Sequence, residues 1–167
     1  MIQFNRIKYY KFKLWLGMFD TIEFKEWLNR LLESNKNIPK ELLSIINLKN
    51  GHERQTVIKM TAYLYSEFMP ISEEGELIAI EILEEESMKF LNQDITPLQF
   101  CEIIRKLDAN FLDLRNKYPD WLGNLYNECE CCDESWTFAD CPCLANETKI
   151  NLENIINNKR STKNMKS

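Results

Sequence analysis

The sequence predicts an all-α fold: a single-domain bundle of roughly six helices over residues 1–156, followed by a flexible tail at 157–167. Three observations carry that expectation. Apolar residues recur at helical spacing in window after window. Helix start and stop signals punctuate those windows. The composition, 44% hydrophobic and 28% charged over 167 residues, is that of one ordinary globular domain able to bury a core without help from metal or disulfides.

The elements follow in order. Asp20 or Thr21 can cap a helix over 21–34, with Ile22, Trp27, Leu28, Leu31 and Leu32 as its apolar face. Pro39 opens a second helix carrying Leu42, Leu43, Ile45 and Ile46 that stops near Asn50-Gly51. Between Glu53 and Phe68, the spacing of Val57, Met60, Thr61, Leu64 and Phe68 predicts a helix, although β-branched residues leave a strand open. Met69-Pro70 ends it. Ser72 starts the next, placing Glu73, Glu74 and Glu76 against the positive end of the helix dipole. Thr96-Pro97 opens the best-determined helix, in which Phe100, Ile103, Ile104, Leu107, Phe111 and Leu114 share one face. After Tyr118-Pro119, Asp120 can cap a last helix from Trp121, whose face would include Leu122, Leu125, Tyr126, Cys129, Cys132 and Trp136. Residues 1–19 read as either helix or strand. Phe24–Leu31 echoes Phe100–Leu107, as two amphipathic helices of one bundle would by patterning alone.

No segment approaches the ~20 apolar residues of a membrane span. The leader-like start, Arg6 to Lys13 ahead of Leu14–Phe19, has a short apolar run and no small-residue cleavage site. The expected location is the cytoplasm, where the six cysteines are reduced thiols.

Those cysteines cluster. Cys129 and Cys132 have the C-x2-C spacing that lets two thiolates bind one tetrahedral zinc, and Cys141 and Cys143 could complete the set. The same positions also fit small hydrophobes on the inner face of a helix, and both readings stay open. A reactive nucleophile is disfavoured, because Glu128, Glu130, Asp133 and Glu134 surround the thiols and oppose thiolate formation. His52 is the single histidine, and Thr56 stands where a zinc-protease helix would need another. Cys101 reads as the edge of a core. Gly17, Gly51, Gly75 and Gly123 are scattered, so no phosphate-binding loop exists, and no catalytic set is assembled. The expectation is a protein that is not an enzyme.

Charge points to a partner. Glu73 to Glu86 contains seven glutamates and no Lys or Arg, with Glu74, Glu81 and Glu85 on one helical face. A second acidic cluster, Asp120, Glu128, Glu130, Asp133, Glu134 and Asp140, lies beside Trp121, Tyr126 and Trp136, residue types that anchor interfaces. Solvated faces account for such runs too, but uncompensated repulsion is relieved when a basic partner binds. Arg6, Lys8, Lys11 and Lys13 alternate with aromatics as in nucleic-acid binders, yet the acidic bulk argues against direct nucleic-acid binding.

The stretch MKFLNQDITPLQF, Met88–Phe100, resembles the helix-turn-helix of small helical bacterial immunity proteins of the colicin D and contact-dependent growth-inhibition kind. The resemblance implies an inhibitor that binds and occludes a cognate nuclease toxin; no family binding residue carries over. The binding residues expected from the chain itself are Glu74, Glu81, Glu85, Trp121, Tyr126, Glu128, Glu130, Glu134 and Trp136, and the metal candidates are Cys129, Cys132, Cys141 and Cys143. The alternative is a zinc-stabilised regulatory or adaptor module, nucleic-acid-associated through its basic ends.

Overall fold

The structure is a computed structural model that describes residues 4–35, 37–46, 49–111, 118–130 and 132–164. Every regular element among the described residues is helical: α1 (Arg6–Trp15), α2 (Thr21–Ser34), α3 (Lys40–Ile45), α4 (Glu53–Leu64), α5 (Glu73–Leu91), α6 (Pro97–Phe111), α7 (Asp120–Cys129), a 3-10 turn (Phe138–Asp140) and α8 (Pro142–Asn164). None of these helices is long and apolar enough to cross a membrane. Where one bundle was expected, the chain divides into two compact units, Met1–Ile78 and Ala79–Ser167.

In the first unit, α4 packs against α1, α2 and α3. Val57 and Met60, both without exposed surface, are its contribution to the core. The ring of Tyr10 on α1 meets Phe24 edge-on at 5.2 Å and Trp27 at 5.1 Å on α2, which locks the first two helices together. Asp20 caps α2, accepting from the N–H groups of Ile22 at 2.8 Å and Glu23 at 3.0 Å. Lys13 crosses from α1 to bond Glu23 at 2.8 Å, and Lys25 pairs with Glu53 at 2.8 Å. That lysine, followed by hydrogen bonds from backbone N–H groups, holds the Glu53 carboxyl below its usual range. The chain enters α5 through a tight turn. Gly75 N–H donates to Ser72 Oγ at 3.1 Å, and a Cβ at Gly75 would stand 1.9 Å from the Pro70 carbonyl oxygen.

In the second unit, α7 lies between α6 and α8, and α8 also meets the 3-10 turn. Phe90 and Phe100 stack at 4.6 Å with planes 3° apart, and Phe138 leans on Phe90 at 5.2 Å. A Gln93 in the left-handed region (φ 63°) closes α5: Asp94 N–H reaches back to Lys89 O at 2.8 Å and Gln93 N–H to Phe90 O at 3.0 Å. Thr96 and Gln99 then form a reciprocal capping box, Thr96 N–H to Gln99 Oε1 at 2.8 Å and Gln99 N–H to Thr96 Oγ1 at 3.2 Å.

Several expectations need correction. There are eight α-helices among the described residues rather than roughly six. Residues 6–15 are helical; their buried side chains are Ile7, Tyr9, Tyr10, Phe12 and Lys13, a face so mixed in polarity that its period is hidden. The last helix was not anticipated and continues to Asn164, through residues 157–164 that read as tail. Its buried face is Leu144, Ala145, Thr148 and Asn151, and the two polar members are satisfied within the helix: Thr148 donates to Leu144 O at 2.7 Å, Asn151 to Glu147 O at 3.0 Å. Hydrophobic periodicity cannot see such a face. The α3 helix ends at Ile45, short of Asn50, and α4 at Leu64, short of Phe68. Asp120 is the first residue of α7 rather than its cap, which is Pro119.

Candidate functional site

The residues singled out for chemistry gather in the second unit, where α7 gives way to turns. The helix stops at Cys129, and Cys132 N–H closes a turn on Cys129 O at 3.2 Å. Cys132 and Trp136 are therefore on turns after α7, not on its inner face. Thr137 and Asp140 then make a second capping box around the 3-10 turn, Thr137 N–H to Asp140 Oδ2 at 2.8 Å and Thr137 Oγ1 to the same oxygen at 2.6 Å. Cys141 ends that turn.

These turns bring buried thiols together. Cys101 and Cys129 have no exposed surface, and Cys132 and Cys141 are 7% and 3% exposed. The neighbouring Cys129 thiol, then burial, pushes the Cys101 pKa far up. Burial, followed by contact with Cys101, pushes Cys132 up to about 12. Cys141 is raised by burial and by its neighbours Cys132 and Cys101. Arg105, one turn after Cys101 on α6, donates from Nη2 to the carbonyl oxygens of Cys129 at 2.8 Å and Cys132 at 3.3 Å. Cys143, expected among the metal ligands, is exposed in the first turn of α8. Cys101, expected at the edge of a core, is fully buried in it. No sequence spacing links it to the others; only the packing of α6 on α7 does. Cys131 lies outside the described residues. Among the described residues, no three His, Cys, Asp or Glu groups stand in metal-holding geometry.

The second acidic cluster is on the surface of the same segment. Glu130, Asp133, Glu134 and Asp140 are exposed, Glu128 and Trp136 half-buried. Asp133 accepts from the Ser135 N–H at 2.7 Å and from its hydroxyl, and the hydroxyl first, then the N–H, holds its pKa below the ordinary value. Thr137 lowers Asp140 in the same way. Tyr126 is half-buried. Trp121 is half-buried too and meets Phe111 edge-on at 6.3 Å, so part of its ring belongs to the core.

The first acidic stripe is less uniform than its sequence. Glu74 is exposed but bonded to Lys8 at 2.6 Å, within the first unit. Glu81 and Glu85 belong to the second unit and are half-buried. Lys8 also sits 4.0 Å above the Tyr65 ring, on a cleft of ≈ 600 Å³ lined by Leu64, Tyr65, Phe68, Ser72 and Glu74. Two other N-terminal cations are engaged as well: Arg6 stacks on Tyr9 at 3.5 Å and Lys13 bonds Glu23. His52 is exposed at the N-terminus of α4.

Comparison with family models, with curated proteins and with solved structures returned no match.

Proposed function

We propose that the chain is a non-catalytic inhibitor of the immunity or antitoxin type, which covers a basic partner protein, a nuclease toxin, with the carboxylates that follow α7. One observation supports this reading above others. Residues 118–148 contain no Lys or Arg, and four of their carboxylates, Glu130, Asp133, Glu134 and Asp140, are exposed around Trp136. Asp133 and Asp140 are fixed in orientation and kept ionised by the hydroxyl and N–H donors of Ser135 and Thr137. Oriented like charge accelerates encounter with a cationic surface, and a half-buried Trp supplies the apolar anchor that slows dissociation. In this reading the inhibitor blocks by occlusion and performs no chemistry.

The test is charge reversal with a partner in hand, obtained by co-purification from the native host or from the gene upstream. Glu130→Lys with Glu134→Lys should slow association roughly tenfold or more and flatten its salt dependence while the melting temperature stays similar. Trp136→Ala should instead speed dissociation. A partner indifferent to these changes and to salt would end the electrostatic model. A regulatory or adaptor module built around the buried thiols is the second reading, favoured by the burial of Cys101, Cys129, Cys132 and Cys141 in one unit. Its nucleic-acid variant loses support from the ties that Arg6, Lys8 and Lys13 make inside the first unit.

A further inference from the structure

We propose that the cleft between the end of α4 and the start of α5, in the first unit, is a binding site for a small linear alkyl-diammonium compound, a diamine of the polyamine class.

The cleft already holds one ammonium group. Lys8 Nζ sits 2.6 Å from Glu74 Oε1, 4.0 Å above the Tyr65 ring and 5.8 Å from that of Phe68, with only 14% of its side chain exposed. A carboxylate on one side and an aromatic face on the other is a general way of holding an organic cation. Lys8 does not balance the charge, however. Glu67 and Glu73 line the same cleft of ≈ 600 Å³, are exposed, and have no basic partner among the described residues. Three carboxylates against one lysine leave two negative charges, and the positive end of the α5 dipole, roughly half a unit, offsets only part of them. Every residue involved belongs to the first unit.

The lining selects the kind of cation that completes the site. Leu64, Tyr65 and Phe68 give the cleft an apolar wall, which suits methylene groups and not a hydrated metal ion. Among the described residues, no three His, Cys, Asp or Glu groups stand in metal-holding geometry. A short chain with an ammonium at each end meets both demands: its stem lies on the rings and each charge has an unpaired carboxylate. The wall is also set before any ligand arrives. Phe68 N–H donates to Tyr65 O at 3.0 Å, and the Ser72 hydroxyl donates to Met69 O at 2.6 Å while accepting from Gly75 N–H at 3.1 Å. These bonds pin the turn that carries Glu67 and Glu73, so little ordering entropy is lost on binding. The proposal depends neither on the carboxylates after α7 nor on any protein partner.

The experiment titrates the full chain, ¹⁵N-labelled, with 1,4-diaminobutane at neutral pH and constant ionic strength, and follows the amide resonances. The expected result is saturable one-to-one binding with the largest shifts in residues 64–74. Butylammonium, with a single charge, should bind at least about threefold more weakly, and Glu67→Gln combined with Glu73→Gln should weaken the diamine roughly tenfold. Lys8→Gln frees Glu74 and the Tyr65 ring and should tighten binding at least about threefold, a gain that a purely structural lysine would not produce. Both replaced glutamates are exposed, so the double variant should melt like the wild type, and it decides the matter if Lys8→Gln does not fold. The proposal is overturned by a wild-type chain that shows no saturable shifts, by an equal response to 1,4-butanediol or Mg²⁺, or by unchanged affinity in the double variant. Binding of a two-lysine peptide without binding of the diamine also overturns it, and would assign the cleft to a protein partner.

Discussion

The two units handle charge in opposite ways. Residues 1–78 hold 11 Lys and Arg against 10 Asp and Glu, whereas residues 79–167 hold 10 against 16, so the chain's net −5 is made of +1 in the first unit and −6 in the second. In the first, lysines are structural: Lys8, Lys13 and Lys25 each bond a glutamate distant in sequence. In the second, Arg105 is directed to backbone carbonyls, and the turns after α7 leave four carboxylates exposed. The difference teaches that a run of like charge in sequence is a poor guide to a charged surface. Glu73, Glu74 and Glu76 open the most conspicuous acidic run, yet they stand in the nearly neutral unit, and Glu74 is ion-paired with Lys8.

The comparison can be broken or sharpened by experiment. Phe100→Ala removes half of a fully buried stacked pair and should cost about 3–5 kcal/mol. Hydrogen exchange should then rise in α6 and α7 more than in α1, α2 and α4, and Phe24→Ala should give the mirror result. Equal loss of protection everywhere would mean that the division into units has no energetic meaning. Gly75→Ala forces a Cβ onto the Pro70 carbonyl and should cost about 1–3 kcal/mol in denaturant unfolding; an unchanged midpoint would show that the turn opens freely. Loss of the capping box in Thr96→Ala should cost about 1 kcal/mol by the same measurement. Reversing charge separates the units directly: Glu74→Lys breaks the bond to Lys8 and should destabilise by at most about 1 kcal/mol, while Glu134→Lys should leave stability unchanged or slightly raised. An equal penalty for both would erase the contrast. The smallest effect is one of pH. Asp133 and Asp140 have folded pKa values below the unfolded value near 3.8, so their contribution is complete above that value and disappears as pH falls through the lower folded ones. Near-ultraviolet dichroism of Trp136 should therefore change only below about pH 4, and Asp140→Asn should remove part of that transition.

What sequence reasoning could reach follows from where the information lies. The α2 and α6 helices are legible because Trp27, Leu28 and Leu31, like Phe100, Ile104 and Leu107, fall at helical spacing and are all buried; on α2, however, Ile22, expected on the apolar face, is exposed and Phe24 is buried in its stead. Their caps are legible because Asp20 and Thr96 act on neighbours within three residues. The α1 and α8 helices are not, since Lys13, Thr148 and Asn151 occupy inner positions and are made tolerable by partners that polarity patterns do not report. The same limit applies to the candidate site. Cys129 and Cys132 announce themselves by spacing, whereas Cys101 joins them only because α6 packs on α7, a fact of tertiary structure. The Lys8–Glu74 pair joins residues 66 positions apart, which no local reading of charge anticipates.

The boundary between the units, at Ile78 and Ala79, falls within α5. A fragment ending at Ile78 would keep only Glu73–Ile78 of that helix, far below the ~12–15 residues at which an isolated helix becomes even marginal, and its partner would begin without the Ser72 cap. The two units thus share a helix at their boundary rather than a linker at which they could be cut apart. The smallest transferable piece on either side is one that takes residues 73–91 with it.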